Sequence, residues 1–293
     1  MRLGEELTRR FWLLLPAVYL LIVGAFFLYY HIVPGPEFYV VFLLIYAACM
    51  KWTRRFVKDW LPFVTLFVTY EAVYGFADKL GGIVHIKELA GVELQLFGTI
   101  PSLFLQQFFR NAALDYTGAF LYSLHFILPV AFGFILWRYS PKNYWSFIAS
   151  LLICSYAALT TFLIFPSAPP WYGVNATRIL LQVYSSLGVT ASKTIFDYID
   201  ANPFAAFPSL HSAYPWLISL YALKIKGRRA LPILLLPIGI WFSVVYLGEH
   251  YIVDVIGGVA YATGAFLFVE KVTPRLINHL NFTKDPEKIS QSQ

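Results

Sequence analysis

Hydrophobic residues in this chain are gathered into long apolar runs, which are separated by shorter polar or basic segments. A helix that crosses the hydrocarbon core of a bilayer needs about 20 apolar residues, and fewer when flanking side chains reach the interface. The pattern therefore predicts an all-α, polytopic membrane helix bundle with about eight transmembrane helices. The predicted spans cover residues 11–30, 38–50, 60–77, 117–137, 144–165, 209–223, 231–247 and 253–269.

The composition points to the same class. Of the 293 residues, 59% are hydrophobic and 13% are charged, whereas a typical soluble domain is about 25% charged. A soluble domain of this size still exposes about a quarter of its unfolded-chain surface to water. A soluble globular domain, a disordered chain and a nucleic-acid binder are therefore excluded, despite the net charge of +6. The two cysteines, Cys49 and Cys154, lie in apolar runs and predict no disulfide framework.

The basic residues predict the orientation of the spans. Cytoplasmic loops of membrane proteins carry an excess of Lys and Arg. When the N-terminus is placed in the cytoplasm, all but five of the 22 Lys and Arg residues fall in cytoplasmic segments. This pattern favours an even number of spans with both termini cytoplasmic. The five outer residues are Lys79, Lys87, Arg110, Arg178 and Lys193.

Two of the outer segments are long. Residues 78–116 are apolar but interrupted by Gly98 and Pro101, so they predict an interfacial or re-entrant piece rather than a ninth span. Residues 166–208 mix Pro, Trp, Tyr and polar residues and join the fifth span to the sixth. The residues after Thr273 form a polar tail.

Two histidines stand in polar contexts at the outer membrane face. His211 lies in the sequence AFPSLHS at 206–212, and His250 lies in YLGEHYIVD at 246–254. Each segment opens a helix that runs inward, so its free N–H groups and the positive end of its dipole favour an anion. Pro208 and Ser209 are typical helix-start residues. The Ser209 hydroxyl and adjacent amides, including that of Ser212, are therefore candidates for binding phosphate oxygens.

His250 and Asp254 are four residues apart, so on a helix they share one face. A carboxylate bound to one ring nitrogen fixes the tautomer and raises the basicity of the other, which makes an imidazole nucleophilic. A second histidine can then be held protonated as a general acid. A phosphoryl group is the electrophile that best suits these histidines and helix N-termini. Two histidines and a carboxylate can also form a metal-binding facial triad, but we predict a site without metal or cofactor.

The two motifs resemble those of a known superfamily. The sequence FPSLHS at 207–212, together with Ser243, His250 and Asp254, resembles the second and third signature motifs of the type 2 phosphatidic acid phosphatase superfamily. FPSAPPWY at 165–172 and YLGEHYIVD at 246–254 resemble its inositol phosphorylceramide synthase branch. The resemblance is strong over residues 165–258. It implies a six-helix catalytic core, here placed at residues 60–272, after accessory helices at 1–59 and before a cytoplasmic tail at 273–293.

The resemblance also implies the roles of individual residues. His250 would be the nucleophile that forms a phosphohistidine, Asp254 would orient it, and His211 would protonate the leaving group. The sequence departs from the superfamily at Ser243-Val244, where Ser-Arg is usual, and at PSAPP (166–170), where Lys and Arg-Pro are usual. These departures favour the synthase-like branch. Some cation must still balance the negative charge of the phosphate, and we favour Arg178 and Lys193 for this role.

Four further residues are candidates for binding the lipid headgroup. Trp171 and Tyr172 are expected either to stack on a headgroup sugar or to anchor the chain at the interface. Asp200 and Asn202 are expected either to bind headgroup hydroxyls or to cap their loop. His125, in the fourth span, is predicted to be a hydrogen-bonded core histidine.

The sequence thus predicts an integral membrane lipid phosphotransferase or phosphatase with its site at the extracytoplasmic boundary. It would transfer a phospho-headgroup, such as phosphoinositol, from a membrane phospholipid to a lipid alcohol, or to water. One alternative is a simple lipid phosphate or polyprenyl diphosphate phosphatase. Another is a transporter, which usually has broken helices near the midplane in matched repeats; here the polar motifs cluster at one face and no repeat is evident. Protein partners are not predicted.

Overall fold

The structure, a computed structural model, describes residues 36–80, 82–188 and 202–274. The first predicted span at 11–30 lies outside these residues, as do two candidate site residues, Lys193 and Asp200, and all but the first two residues of the predicted tail.

The apolar runs fold as helices, because only helices and closed barrels satisfy their backbone groups within lipid. The described residues contain no strand and only isolated backbone bridges, such as His85 with Ser167. The predicted all-α class is therefore confirmed. The helices are α1 Pro36–Cys49, α2 Thr53–Leu80, α3 Glu88–Phe97, α4 Pro101–Phe109, α5 Ala112–Tyr139, α6 Pro141–Ile164, α7 Pro170–Gly173, α8 Ile179–Ser186, α9 Leu210–Lys226, α10 Leu235–Tyr246 and α11 Ile252–Leu267.

Several helices are suited to a membrane by length and composition. Within the described residues these are Pro141–Ile164, Leu210–Tyr246 and Ile252–Val272, and the bent helix α5 makes a fourth if it is counted as one span. These helices support the prediction that the chain is a membrane protein. The count of eight spans stays a prediction.

The stretch Leu210–Tyr246 contains two helices that lie side by side. A 3₁₀ segment, Gly227–Leu234, joins α9 to α10. The indole N–H of Trp241 in α10 donates to the carbonyl oxygen of Ser212 in α9 at 3.2 Å. A straight helix would hold these residues far apart, so the chain reverses its direction between α9 and α10. The sixth and seventh predicted spans therefore correspond to separate antiparallel helices.

The main core lies around α6, which packs against α2, α5, α9 and α11. Hydroxyl pairs hold α6 to α9, with Ser150 and Tyr221 at 2.8 Å and Ser155 and Tyr214 at 2.7 Å. Such small residues and interhelical hydrogen bonds are typical of helix packing in membranes, where lipid provides no hydrophobic drive for association. α9 and α11, whose first turns contain His211 and Asp254, both pack against this core.

The outer segment at 78–116 contains the two short helices α3 and α4. Gly98, with φ +69°, ends α3 in the left-handed conformation that favours glycine, and Pro101 begins α4. Neither helix is among the candidate membrane spans. α3 packs against Tyr251 and Ala206, and α4 contacts α10. The two helices therefore cover the loop that carries His250.

Candidate active site

The two predicted histidines meet at one end of the helix bundle. His211 is the second residue of α9, and His250 lies in the loop between α10 and α11. Nε2 of His250 is 3.3 Å from Nδ1 of His211, and the ring centroids are 5.4 Å apart. A carboxylate oxygen of Asp254, in the first turn of α11, lies 3.4 Å from Nδ1 of His250. The structure thus brings all three predicted catalytic residues together.

A close approach of two backbones makes this meeting possible. The backbone N–H of Ser209 donates to the carbonyl oxygen of Asp254 at 3.0 Å, which ties the start of α9 to the start of α11. One turn further along α11, a Cβ atom on Gly258 would lie 2.1 Å from the carbonyl oxygen of Ser209. Only glycine fits at this position without moving one of the two helices.

The hydrogen bonds of His250 determine which of its ring nitrogens carries the proton. Nδ1 lies 3.0 Å from the backbone carbonyl oxygen of Ala206 and 3.4 Å from the Asp254 carboxylate. The carbonyl can only accept a hydrogen bond, so Nδ1 carries the proton. In the neutral ring Nε2 then holds the free lone pair, and Nε2 is the atom that faces His211. This is the tautomer that a nucleophilic imidazole needs.

The ring of His211 is held between two other rings. Its centroid lies 4.1 Å from that of Tyr122 and 4.1 Å from that of His125, both on α5. His125 in turn stacks on Tyr214 at 4.8 Å and an interplanar angle of 5°. His125, which the sequence predicts to be a core histidine, thus also contacts a candidate catalytic residue directly. The stack restricts the orientation of the His211 ring.

Ser209 and Ser212 are buried at the start of α9, next to His211. The Ser209 hydroxyl oxygen accepts the backbone N–H of Ser212 at 3.3 Å and its hydroxyl at 3.2 Å. Ser209 is therefore the N-cap of the helix. Its own hydroxyl proton is the group with which it would hold a phosphate oxygen, and that role stays a prediction for both serines.

Arg178 also lies beside the loop of His250. Its Nε donates to one carboxylate oxygen of Glu249 at 2.9 Å and its Nη2 donates to the other at 3.2 Å. The guanidinium group lies 4.3 Å from the centre of the Trp171 ring. Both partners of the ion pair are largely buried, with 18% and 6% of their side chains exposed. Arg178 is thus placed near the site with its charge paired, and its predicted contact with phosphate stays a prediction.

Of the candidate headgroup residues, the structure describes Trp171, Tyr172 and Asn202, which lie near the loop of His250 or beside Phe204. The backbone N–H of Trp171 donates to the carbonyl oxygen of Gly248 at 3.1 Å. Tyr172 is exposed and makes an edge contact with Phe204 at 5.2 Å. The Asn202 side-chain oxygen accepts the N–H of Phe204 at 3.1 Å. This bond matches the loop-capping alternative for Asn202, and headgroup binding by these residues stays a prediction.

The sequence did not predict three residues that hold the His250 loop, namely Glu93, Gln106 and Glu249. Gln106 donates to the carbonyl oxygens of Tyr246 at 2.9 Å and Thr177 at 2.8 Å, and it accepts the N–H of Thr177 at 2.8 Å. Gln106 and Glu93 lie in the segment predicted to be interfacial. For Glu93 the sequence did contain a signal, namely a carboxylate within an apolar stretch, because ionisable groups at membrane depth are costly and are usually functional.

Comparisons with known proteins identify the family of the chain. The family model of the PAP2 superfamily matches residues 87–268. The chain belongs to this superfamily. The protein is thus a membrane enzyme of the phosphotransferase or phosphatase type, and the resemblance found in the sequence is confirmed. The match overlaps the predicted core at 60–272, whose boundaries stay a prediction.

Among the described residues, no group of three or more His, Cys, Asp or Glu side chains is arranged to hold a metal ion.

The chain is similar to several curated proteins. It is 29% identical over 261 residues to the phosphoinositol dihydroceramide synthase of Bacteroides thetaiotaomicron, which covers 83% of this chain and 85% of the relative. It is 25% identical to the inositol phosphorylceramide synthase of Candida albicans, covering 78% of this chain and 51% of the relative. The corresponding catalytic subunit of Schizosaccharomyces pombe is also 25% identical, with 80% and 59% covered. The chain therefore spans only about half to three fifths of these two fungal relatives. No solved structure matches the chain.

Proposed function

We propose that this PAP2-superfamily protein transfers a phosphorylated headgroup, such as phosphoinositol, from a membrane phospholipid to a lipid alcohol. The observation that carries the proposal is the placement of His250, whose Nε2 faces His211 while its Nδ1 lies against the carbonyl oxygen of Ala206 and the Asp254 carboxylate. The choice of headgroup is supported by the names of the bacterial and fungal relatives, which are synthases of phosphoinositol and inositol-phosphoryl lipids.

The reaction proceeds by double displacement. In the first half, Nε2 of His250 attacks phosphorus, an N–P bond forms, and the P–O bond to the donor's lipid alcohol breaks. His211 donates a proton to the departing oxygen. In the second half, the hydroxyl of the acceptor attacks the phosphohistidine, His211 takes up its proton, and His250 is released unchanged. Asp254 stabilises the charge that the His250 ring gains on attack.

The distance between the two histidines constrains how the substrate enters. A reacting phosphorus lies about 3–3.5 Å from its nucleophile before attack, and a leaving oxygen lies about 2.7–3.0 Å from its proton donor. Both cannot fit along a line between nitrogens that are 3.3 Å apart. The phosphoryl group therefore enters beside this contact and separates the two nitrogens as it binds.

The extracytoplasmic face is proposed for the site because of the charges at the other end of the same helices. α9 begins beside His211 and carries Lys224 and Lys226 in its last turn. Its 17 residues span about 25 Å at 1.5 Å per residue. Under the positive-inside rule the basic end is cytoplasmic, and His211 is then outside. Both termini are proposed to be cytoplasmic on the same basis.

A simple lipid phosphatase is the second candidate, because water can replace the acceptor alcohol in the second half-reaction. Purified protein should be given phospholipids with labelled headgroups, with and without a ceramide-type alcohol. We expect acceptor-dependent transfer of the label with phosphoinositol donors. Release of free headgroup phosphate alone, unaffected by the alcohol, would favour the phosphatase. Neither product, together with solute flux in proteoliposomes, would favour the transporter alternative.

A further inference from the structure

Glu93 is a buried carboxylate in a helix that carries no part of either motif. It lies in α3, has no exposed surface, and sits beside the buried residues Leu89, Ala90 and Tyr251. Its Oε1 accepts the backbone N–H of Ile252 at 2.5 Å. Ile252 is the first residue of α11 and lies two positions from both His250 and Asp254. A charged or polar side chain is costly to bury unless it is hydrogen-bonded, and this bond is made to the backbone of the candidate active site.

The start of α11 is held by two carboxylates. The N–H of Tyr251 donates to Asp254 at 2.8 Å, and the N–H of Ile252 donates to Glu93. Both acids lie at the positive end of the helix dipole, where negative charge is favourable. Asp254 belongs to the helix that it caps, whereas Glu93 comes from 159 residues away in the sequence. Glu93 therefore ties this helix start to α3, in addition to the Ser209–Asp254 hydrogen bond that ties it to α9.

The Asp254 carboxylate has two tasks that share one oxygen. Its Oδ2 accepts the N–H of Tyr251 at 2.8 Å and also lies 3.4 Å from Nδ1 of His250. Without Glu93, the N–H of Ile252 would lose its acceptor at a partly buried position, and leaving a donor unpaired where water has little access is costly. The loop would shift so that Ile252 finds a partner, and Asp254 is the nearest acid on its own helix. His250 would then lose its carboxylate contact.

The same helix also supports the other partner of His250. Leu89 and Ala90 of α3 belong to one buried cluster with Ala206 and Tyr251. The carbonyl oxygen of Ala206 is the acceptor that keeps the proton on Nδ1 of His250. α3 thus packs against Ala206, whose carbonyl oxygen binds His250, and against Tyr251, which follows His250 in the chain.

We propose that Glu93 is a positioning residue, which holds the Asp254–His250 pair in its reactive arrangement through the N–H of Ile252. The inference rests on the proposed function, because it assigns Glu93 to the same reaction. Glu93 does not touch the reacting atoms. Its hydrogen-bond acceptor, rather than its charge, is the property that matters.

The test compares Glu93→Ala with Glu93→Gln, since glutamine keeps an acceptor oxygen of the same shape. Glu88→Ala, which removes an exposed acid of the same helix, is the matched control. We expect Glu93→Ala to lower kcat of headgroup transfer about 10- to 100-fold with KM for the donor unchanged, as a misplaced reacting group does. Glu93→Gln should stay within about threefold of wild type, and Glu88→Ala should match wild type.

A second measurement does not depend on the substrate. Protein labelled with ¹⁵N-histidine in detergent reports the tautomer of His250 by NMR, with His250→Gln used to assign its signals. We expect Nδ1–H in the wild type and Glu93→Gln, and a mixture of tautomers in folded Glu93→Ala. This readout tests Glu93 even if no transfer product is found, so the two proposals fail separately. A wild-type tautomer and a wild-type kcat per folded molecule in Glu93→Ala, or equal losses in both variants, would overturn the inference.

Discussion

His211 and His250 contact each other through Nδ1 and Nε2 at 3.3 Å, although they are 39 positions apart in the chain. The contact joins the start of α9 to the loop before α11. It places the lone pair of one imidazole against the ring that would deliver a proton, which is the arrangement a double-displacement phosphotransferase needs.

Substitutions of the two histidines should have different effects, because His250 forms the intermediate and His211 only transfers protons. His250→Gln should form no phosphoenzyme, because the nucleophile is lost. His211→Gln should lower kcat about 10²- to 10⁴-fold, the usual contribution of a general acid. The measurement is incorporation of phosphate label into protein that is stable to alkali and labile to acid, as an N–P bond is. A labelled His250→Gln protein would contradict the assignment of the nucleophile.

Gly258→Ala should separate the two motifs. The added Cβ would lie 2.1 Å from the carbonyl oxygen of Ser209, so α9 and α11 must move apart, and the Ser209–Asp254 hydrogen bond must lengthen. Overpacking of this kind costs about 1–3 kcal/mol or more, and activity should be lost. Gly264→Ala is the control in the same helix, since its Cβ meets nothing within 4 Å. It should be neutral or slightly stabilising in thermal unfolding, because alanine favours helix over glycine. Equal behaviour of the two variants would refute the argument.

The Arg178–Glu249 pair allows a test of the proposed phosphate cation. Arg178→Ala should lower transfer at least tenfold, since it removes the positive charge beside the loop of His250. If Arg178 binds the phosphate, neutralising its partner as well, in Arg178→Ala/Glu249→Gln, should not restore the rate. The measurement is kcat and donor KM for both single variants and the double variant. Recovery in the double variant would mean that Arg178 serves only to balance Glu249.

Glu93 should make the stability of the protein depend on pH. Burial raises the pKa of Glu93 from 4.5 to about 7, the nearby Asp254 charge acts in the same direction, and the N–H groups of Ile252 and Val253 oppose it. The folded state therefore holds a proton that the unfolded state releases above about pH 4.5. Stability from this group should be highest below pH 4.5 and should fall as the pH rises to 7. Thermal unfolding in detergent at pH 5 and pH 8 measures this, and Glu93→Gln should reduce the difference between them.

Removal of metal ions should leave turnover unchanged. The proposed reaction uses two imidazoles and a carboxylate, with no step that requires a metal. Vanadate, which adopts the geometry of a phosphoryl group under attack, should inhibit by binding at His250. The measurement is the initial rate of transfer with a millimolar chelator and, separately, with vanadate. Loss of activity with the chelator, restored by one divalent ion, would favour the facial-triad alternative.

The amino-acid sequence by itself was enough to predict the membrane class, the helical architecture and the three residues His211, His250 and Asp254. These features are encoded locally, because a run of apolar residues, a helix-start motif and a four-residue spacing can each be recognised within one contiguous segment. The separate helices α9 and α10 were also visible as two runs divided by basic residues.

Only the tertiary structure decided how those residues are held. The proton on Nδ1 of His250 depends on the carbonyl oxygen of Ala206, and the start of α11 depends on Glu93, far away in the chain. The close packing of α9 against α11 is possible because Gly258 has no side chain. No local pattern encodes such contacts, because they arise only when distant helices pack. For the same reason the sequence predicts a core histidine at position 125 and does not predict its contact with His211. Its distance of 4.1 Å to the ring of His211 comes from the packing of α5 against α9, which the order of residues within either helix does not reveal.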